Sequence, residues 1–394
     1  MNILSIIGRN HSLFDSDVKA NEAHIRTLVS SSRFLVLGGG GTIGQAVVKE
    51  ILKRNPTKLH VVDINENNLA ELVRDVRSTF DNITGDFRTF ALDIGSSIYD
   101  AFIDNDGQFD YVLNLSALKH VRSEKDPYTL MRMVEVNILN TEKTILQSIK
   151  HGVKKYFCVS TDKAANPVNL MGASKRIMEK VLIQRSNELV ISTARFANVA
   201  FSDGSLLYGF SQRLQKQQPL AGPNDTKRFF VSPQESGELC LMSCLFGENG
   251  DIFFPVLSAE HDMLSFVDIA QNYLQELGYT PHFCNSEDEA RAYMANPSPQ
   301  TWPCYFAPSD TTGEKEYEEF YMPNEALNFT RFTGIGIVKN QHSLQTTATQ
   351  DFIHQIRTLL EQQQWSKEDL VREFIKILPE FNYEDKGKYL DSKM

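Results

Sequence analysis

The stretch RFLVLGGGGTIGQAVV, residues 33 to 48, decides the fold of this chain. An unbroken apolar run ends in four glycines, and an amphipathic pattern with helical spacing follows at once. The glycines satisfy G-x-x-G-x-x-G through Gly38, Gly41 and Gly44, and also G-x-G-x-x-G with Gly39 as the first. Glycines at a strand-to-helix turn let the backbone turn tightly and let a pyrophosphate reach the N-terminus of the helix. The stretch therefore predicts a dinucleotide-binding turn at the start of a parallel sheet.

An acidic residue stands at the tip of the second predicted strand. Asp63 ends KLHVVD, nineteen residues after Gly44, where the dinucleotide-binding pattern carries a carboxylate for a ribose hydroxyl. That carboxylate would repel a 2′-phosphate, and no Arg or Lys follows in INENN to receive one. We therefore expect NAD rather than NADP. Asp93, at the end of the third predicted strand, is expected near the adenine, with a plain surface position as the alternative.

Short β-branched runs alternate with amphipathic helical patterns over the first two hundred residues. Continuous apolar strands separated by helices indicate a parallel sheet covered on both faces. The predicted fold class is α/β, a doubly wound parallel (Rossmann) sheet with a smaller C-terminal substrate-binding region. The predicted strands are residues 33–38, 58–63, 87–93, 110–116, 155–161 and 188–196.

Changes in this pattern divide the chain into four predicted regions. Residues 282–325 are expected to be irregular, whereas TQDFIHQIRTLLEQQQ and SKEDLVREFIKIL predict helices, the second with a capping box at Ser366. The arm and the C-terminal helices suggest self-association, so a homo-oligomer is expected. The regions are 1–32, an N-terminal arm with one helix; 33–200, the NAD-binding Rossmann domain; 201–281, a substrate-binding region; and 282–394, a partly helical C-terminal extension.

The composition excludes several classes of function. A formal net charge of -10 over 394 residues argues against a surface built to bind nucleic acid or anionic lipid. No apolar run approaches the ~18 residues of a membrane span, and the N-terminus lacks the pattern of a signal peptide. We therefore expect a cytoplasmic protein with neither nucleic acid nor membrane as a partner.

The five cysteines are odd in number and include no C-x-x-C pair. Cys240 and Cys244 lie on one face of a predicted helix, a spacing that could suit a metal, but no histidine lies close by in the sequence. Two small buried residues are the favoured interpretation, and no metal site is predicted.

A second cluster of reactive residues follows the fifth predicted strand. The stretch STDKAANPVNLMGASKR, residues 160 to 176, places Asp162 beside Lys163 at the strand end, where ligands bind in this architecture. Lys175 follows twelve residues later, with Met171 one helical turn before it. Without further context, a solvated ion pair is the simpler interpretation of Asp162 and Lys163.

Several separated motifs together resemble a known family. They are GGGGTIG, NLSALKHV, VSTDKAANPVNLMGASKR, RFANV and GPNDTKRFF, which extend over roughly residues 33 to 275. The combination resembles the extended short-chain dehydrogenase/reductases and, more narrowly, the bacterial UDP-N-acetylglucosamine 4,6-dehydratases of the polysaccharide-biosynthesis group. The C-terminal segment is similar to relatives in nonulosonic acid synthesis.

The resemblance implies a reaction in three steps: oxidation at C4 of the sugar with hydride transfer to NAD, elimination of water across C5 and C6, and hydride return to C6. It also implies that Thr161 binds the O4 oxygen, that Asp162 is the acid for the leaving hydroxyl and that Lys163 is the base at C5. Such a base must be partly neutral, which desolvation and the cofactor charge are expected to achieve.

The same resemblance assigns binding residues for NAD and for the nucleotide sugar. Lys175 would bond the nicotinamide ribose, and Asn137 would order a water near that lysine unless it is a surface residue. The other implied cofactor contacts are Gly38, Gly41, Thr42, Ile43, Gly44, Asp63, Asp93, Ile94, Ser116 and Ala117. The implied substrate contacts are Lys119, His120, Asn198, Ser205 and Arg228, the last of which suits a pyrophosphate.

Met171 departs from the pattern of the wider superfamily, in which a tyrosine one turn before the lysine takes the alcohol proton. A thioether cannot carry a proton, so the O4 proton must leave by another route, for which Asp162 is the nearest candidate. Met171 is then expected to be a packing residue over the sugar or the nicotinamide.

Three readings of the function remain open. The first is the UDP-N-acetylglucosamine 4,6-dehydratase, with GDP-N-acetylglucosamine as an alternative substrate. The second is a nucleotide-sugar 4-epimerase or reductase, which needs no acid and base at C5 and C6. The third is a non-catalytic dinucleotide-binding protein, which only Met171 favours.

Overall fold

Strands and helices alternate through the first half of the chain, as the sequence predicts. A computed structural model of the protein describes residues 1–309, 317–339, 347–385 and 387. The strands in these residues are β1 (Arg33–Leu37), β2 (Lys58–Asp63), β3 (Asp86–Ala91), β4 (Tyr111–Asn114), β5 (Lys155–Thr161), β6 (Val190–Phe196), β7 (Asn198–Val199), β8 (Leu220–Pro223), β9 (Lys227–Val231), β10 (Ile252–Pro255), β11 (Met263–Ser265), β12 (Thr280–Phe283), β13 (Thr301–Ala307), β14 (Ala326–Asn328) and β15 (Ile335–Lys339).

The helices of the same residues include the two predicted near the C-terminus. They are α1 (Ile3–Ile6), α2 (Asp15–Ser30), α3 (Thr42–Leu52), α4 (Glu66–Thr79), α5 (Ser97–Asp106), α6 (Pro127–Val134), α7 (Asn140–Lys150), α8 (Leu170–Arg185), α9 (Leu206–Gln215), α10 (Pro233–Phe246), α11 (Phe266–Glu276), α12 (Glu287–Met294), α13 (Ala348–Gln362) and α14 (Lys367–Ile377). The predicted capping box of α14 is confirmed between Ser366 and Asp369. None of these helices combines the length and the apolarity that crossing a membrane requires.

Nine of the described strands form one sheet in the order β14-β15-β10-β6-β5-β4-β1-β2-β3. The seven strands from β10 to β3 are parallel, whereas β15 runs antiparallel to β10 and to β14. The predicted doubly wound α/β fold is therefore confirmed. Between β1 and β4 the strand order reverses, which opens a crevice at the carboxyl ends of the strands.

Successive residues of β1 explain why this strand is apolar throughout. Phe34 and Val36 belong to the core on one face of the sheet, with residues of α2, α3, α4 and α10. Leu35 and Leu37 belong to the core on the other face, with residues of α5 to α8, α13 and α14. Because side chains alternate across a strand, a sheet covered on both faces needs apolar residues at every position.

The region after residue 200 has a core of its own. Leu207, Phe210 and Ile269 pack there with Trp302, around a three-stranded sheet in the order β12-β13-β8. A second small sheet has the order β11-β9-β7. These elements cover the carboxyl edge of the large sheet on one side of the crevice, since β7 follows β6 directly.

Part of the extension departs from the prediction. Residues 282–325 were expected to be irregular, but β12, α12 and β13 lie largely within them, and β12 and β13 are parallel. The prediction is wrong for this stretch because Ser286 caps α12 and because Trp302 and Cys304 are buried despite the surrounding prolines. The extension also supplies β14 and β15 to the large sheet.

The N-terminal segment lies against the body of its own chain. Phe14, Ile25 and Val29 are buried in the core that includes α10. The Asp17 carboxylate accepts hydrogen bonds from the backbone N–H groups of Thr333 and Gly334, each at 2.7 Å. The predicted arm is thus fastened to the strand β15 that follows Gly334.

Candidate active site

The glycine-rich loop joins β1 to α3 in a conformation that only glycine adopts readily. Gly38 has a φ of +75°, and a Cβ there would lie 2.6 Å from the backbone N of Ser116. A Cβ at Gly44 would lie 2.3 Å from the carbonyl O of Gly38. The nearest atom to a Cβ at Gly41 is 3.8 Å away. Gly38 and Gly44 therefore allow close backbone contacts, whereas Gly41 leaves space at the N-terminus of α3.

Asp63 lies against this loop. Its Oδ2 accepts a hydrogen bond from Gly40 N at 2.8 Å, and its Oδ1 accepts one from Asn65 N at 2.8 Å. At the first turn of α3, no side chain caps the free N–H groups. A half-buried carboxylate beside an uncapped helix N-terminus suits the ribose and the pyrophosphate of a dinucleotide.

The remaining residues predicted to contact the cofactor lie along the same crevice. Asp93 forms a partly exposed ion pair with Arg132 at 3.0 Å, and its expected place near the adenine stays a prediction. Ile94 is buried beside it in the core. Ser116 and Ala117 follow β4, where Ser116 N donates to Asn114 Oδ1 and borders Gly38. The loops after β1 and β4 thus meet at the point where the strand order reverses.

Thr161, Asp162 and Lys163 leave the carboxyl end of β5 as one hydrogen-bonded group. Asp162 Oδ1 accepts from Thr161 Oγ1 at 2.8 Å, from Lys163 N at 2.9 Å and from Lys163 Nζ at 3.1 Å. Asp162 is only 2% exposed, and its Oδ2 is buried without a hydrogen-bond partner among the described residues. The pair is therefore not the solvated surface pair that the sequence left open, because water does not reach the carboxylate.

The groups around Lys163 favour its charged form. Burial opposes the ammonium charge, but the carboxylates of Asp162 and Glu318 outweigh both burial and the repulsion from Arg228, and the pKa of Lys163 is raised. The described surroundings therefore favour the charged form of this lysine, and a partly neutral Lys163 beside a bound cofactor stays a prediction. Asp162, the adjacent residue in the sequence, contributes most of this effect, and Glu318 adds a second carboxylate that nothing in the sequence places there.

Met171 and Lys175 lie on the first two turns of α8. Met171 is 4% exposed and packs in the core with Leu118 and Val121 at its edge. Lys175 Nζ donates to the Val159 carbonyl at 3.0 Å, and burial lowers the pKa of this lysine. Both residues therefore lie beside the end of β5, next to the Asp162 group.

Asn137 is a buried link rather than a surface residue. It lies in the π-helical turn Glu135–Leu139 between α6 and α7. Its Oδ1 accepts from Leu118 N at 2.9 Å, and its Nδ2 donates to Leu118 O and to Ser174 Oγ, each at 3.0 Å. Asn137 thus fixes the loop after β4 to α8, and such π-turns often occur at functional sites.

Glu124 is a buried residue that sequence reasoning missed. Its Oε1 accepts from Met171 N at 2.7 Å, at the N-terminus of α8. Burial raises the pKa of this fully buried carboxyl to about 7. The motif SALKHVRSEK contains the residue, but the sequence gives no sign that its side chain reaches a helix nearly fifty residues later.

The turn after β7 brings three motifs together. Lys119 Nζ donates to Ser202 Oγ at 3.4 Å, and Asp203 N donates to Thr42 Oγ1 at 3.0 Å. A Cβ at Gly204 would lie 2.8 Å from His120 Nε2. The glycine-rich loop, the loop after β4 and this turn therefore share one side of the crevice, where Ile43 also lies half-buried in α3.

The other residues predicted to bind the substrate make different contacts in the structure. Ser205 caps α9, because its Oγ accepts from Tyr208 N at 3.2 Å. Asn198 Nδ2 donates to Phe229 O at 3.3 Å. Arg228, on β9, is 5% exposed and faces Lys163. Arg228 is therefore a residue of this set whose charge acts on Lys163.

A short segment of the C-terminal extension also reaches the crevice. Glu318 is 5% exposed, and its Oε1 lies 3.8 Å from Lys163 Nζ. Sequence reasoning missed this residue because it lies in the stretch expected to be irregular, where no motif marks it.

One protein family matches most of the chain. The family model described as "Polysaccharide biosynthesis protein" matches residues 34–340. The chain belongs to this family. The match covers the large sheet from β1 to β15 and every element that lines the crevice, so the family relation extends to the site.

Two of the three curated relatives described here have names from polysaccharide or nucleotide-sugar metabolism. An uncharacterized membrane protein of Methanocaldococcus jannaschii is 29% identical over 321 residues, 80% of this chain and 87% of the relative. Capsular polysaccharide biosynthesis protein CapD of Staphylococcus aureus is 29% identical over 78% of this chain, which spans 48% of that protein. A UDP-glucose 4-epimerase of Rickettsia prowazekii is 30% identical over 62% of this chain and 70% of the enzyme.

Solved structures share the fold. Pen from Bacillus thuringiensis superposes with a TM-score of 0.64 at 22% identity, over 85% of this chain and 98% of that one. DesIV, a dTDP-glucose 4,6-dehydratase from Streptomyces venezuelae with NAD bound, gives 0.56 at 18% identity, over 84% and 97%. The fold is thus that of the nucleotide-sugar epimerases and dehydratases, and the choice between the two reactions depends on the site residues.

Proposed function

We propose that the protein is a nucleotide-sugar 4,6-dehydratase that acts on UDP-N-acetylglucosamine with NAD as its cofactor. One observation carries the proposal: a buried carboxylate with a free oxygen, Asp162, lies beside the ammonium of Lys163 at the carboxyl end of β5. Water elimination needs an acid and a base side by side, and this pair supplies both.

The glycine-rich loop supports the choice of cofactor. The space at Gly41, the uncapped N-terminus of α3 and the Asp63 carboxylate fit the pyrophosphate and one ribose of a dinucleotide. When bound, NAD would supply reversible hydride transfer with the sugar. Lys175 would contact the nicotinamide ribose once its ammonium leaves the Val159 carbonyl.

The proton on O4 would leave through Asp162. Thr161 Oγ1 donates to one oxygen of that carboxylate, while the buried Oδ2 stays available to accept a proton. In this route Asp162 takes the O4 proton during oxidation and gives it to the departing C6 hydroxyl during elimination. The bond from O4 to hydrogen breaks, and water leaves with that hydrogen, so a proton-carrying residue at position 171 is not needed.

Lys163 would remove the proton on C5 in its neutral form. The raised pKa of Lys163 means that this form becomes common only in alkaline solution. We therefore expect the dehydration rate to rise with pH through the alkaline range. The ammonium formed by proton removal exchanges its protons with solvent and then delivers one of them to C5 after the hydride reaches C6.

A 4-epimerase is the second candidate, favoured by the named epimerase among the relatives. Epimerisation at C4 requires neither the acid at C6 nor the base at C5, so it leaves the Asp162 and Lys163 pair without a role. A GDP-linked sugar in place of UDP is compatible with the same residues, because nothing in the described crevice distinguishes the bases.

One incubation separates these candidates. The purified protein is mixed with NAD and either UDP- or GDP-N-acetylglucosamine in deuterated water, and the products are read by mass spectrometry and NMR. Dehydration gives a product that has lost one water and carries solvent deuterium at C5. A product of unchanged composition with inverted C4 identifies the epimerase instead, and an unchanged substrate with both donors contradicts the proposal.

A further inference from the structure

The segment that carries Glu318 is anchored firmly to the Rossmann domain. Arg195 of β6 is fully buried and donates to the Phe320 carbonyl at 2.9 Å. Its guanidinium also bonds both oxygens of Glu325, at 2.7 and 2.8 Å, and both oxygens of Glu179 on α8. A bidentate guanidinium between two carboxylates fixes the relative position of the three elements.

Aromatic packing adds a second attachment two residues beyond Glu318. The Phe320 ring is buried, with centroid distances of 5.5 Å to Phe229 and 6.1 Å to Phe254. Phe229 and Arg228 are neighbours on β9, so the segment packs on the strand that faces Lys163. Glu318 is therefore held at the crevice by contacts on both sides of the sheet edge.

Lys163 faces carboxylates from two different segments of the chain, its own turn and the segment that carries Glu318. Asp162 bonds Lys163 Nζ at 3.1 Å from within the same turn, whereas Glu318 Oε1 lies 3.8 Å from Nζ on a different segment. Arg228 is the cation that opposes them. Among the described residues whose charges act on Lys163, Glu318 is the one that the C-terminal extension brings to the site.

We propose that Glu318 is a positioning residue that holds the Lys163 ammonium and sets the pH at which this lysine becomes a base. The C-terminal extension would then be part of the catalytic apparatus, since it supplies Glu318, one of the two described carboxylates near Lys163. The inference rests on the proposed function only for the role of Lys163 as the base at C5.

The test compares Glu318→Gln with a matched control on the neighbouring residue, Glu319→Gln, whose side chain is exposed. Trace acetylation of Lys163 is followed against pH by mass spectrometry of the peptide that contains it, which reports its protonation without any need for activity. Loss of a carboxylate within 4 Å of Nζ should lower the midpoint for Lys163 by about 1 pH unit. The control should leave the midpoint where it is in the wild type.

The pH dependence of kcat for dehydration is measured for the same three proteins. In Glu318→Gln, the pH at which kcat rises should decrease by about the same amount as the acetylation midpoint. The KM for the sugar should change little. An unshifted midpoint in Glu318→Gln, or the same shift in Glu319→Gln, overturns the role of Glu318 whatever the enzyme does with the sugar. If Glu318→Gln shifts the midpoint but the wild-type protein removes no water from the sugar, the proposed function is overturned and the inference about Lys163 stands.

Discussion

Two alanine substitutions in the glycine-rich loop should separate folding from cofactor binding. At Gly41 the backbone has φ of −75° and ψ of 169°, which any residue adopts, and the nearest atom to an added Cβ is 3.8 Å away. At Gly44 the added Cβ would lie 2.3 Å from Gly38 O and 2.5 Å from Gly39 Cα. Both clashes are with backbone, which cannot move aside as a flexible side chain would.

The magnitudes follow from these distances. Alanine at Gly41 loses a favoured N-terminal residue of α3 but restricts the unfolded chain, two opposing effects of about 0.5–1 kcal/mol each, so the free energy of unfolding should stay nearly constant. The added methyl group would lie where a pyrophosphate approaches the first N–H groups of α3. The resulting loss of one charge-assisted hydrogen bond, about 1.5–3 kcal/mol, should weaken NAD binding about tenfold to a hundredfold. Alanine at Gly44 should lower Tm by about 2–4 °C, because close overpacking costs about 1–3 kcal/mol.

The assay is thermal unfolding without ligand, followed by isothermal titration with NAD. We expect Gly41→Ala to keep the wild-type Tm but to bind NAD more weakly. Gly44→Ala should have a lower Tm and should also bind NAD more weakly. Wild-type affinity in Gly41→Ala would refute the placement of the pyrophosphate at the N-terminus of α3. A wild-type Tm in Gly44→Ala would refute the close backbone contact.

Four further predictions concern cofactor choice, the two reactive steps and stability. The Asp63 carboxylate should make the protein bind NAD more tightly than NADP, and calorimetry showing equal affinity would remove that assignment. Lys163→Met should still transfer hydride to NAD but should not exchange the C5 proton with deuterated solvent, so wild-type exchange by NMR would mean that another group is the base. Met171→Leu should lower turnover less than about tenfold, because the side-chain volume is nearly conserved. Asp162→Asn should lower turnover by a factor of about 10² to 10⁴. Single-turnover reduction of NAD that is lost only in Met171→Leu would contradict the proton route. Burial raises the pKa of Glu124 to about 7 from 4.5, so this group contributes stability that is present below pH 4.5 and is lost as the pH rises through 7. Glu124→Gln should remove up to about 3 kcal/mol of this pH dependence of the free energy of unfolding. Identical profiles of stability against pH in the two proteins would argue against the buried acid.

Local sequence determined the elements of the Rossmann domain. The run of apolar residues before Gly38, the glycine spacing and Asp63 all act within one strand, one turn and one helix, so their consequences can be derived from neighbouring residues. The same holds for Thr161, Asp162 and Lys163, which the end of β5 places together, and for the capping box of α14. Short-range geometry leaves few alternatives for such stretches.

Only the tertiary structure decided the electrostatics of the site and the role of the extension. Glu318 and Lys163 are 155 positions apart in the sequence, and they meet because Arg195 and the Phe320 ring fasten a distant segment to β6 and β9. No periodicity encodes such a contact, since it depends on how β10, β15 and the intervening chain fold back on the sheet. The pKa of Lys163 depends in part on that contact: desolvation alone lowers the pKa of a lysine, whereas the carboxylates of Asp162 and Glu318 together raise it.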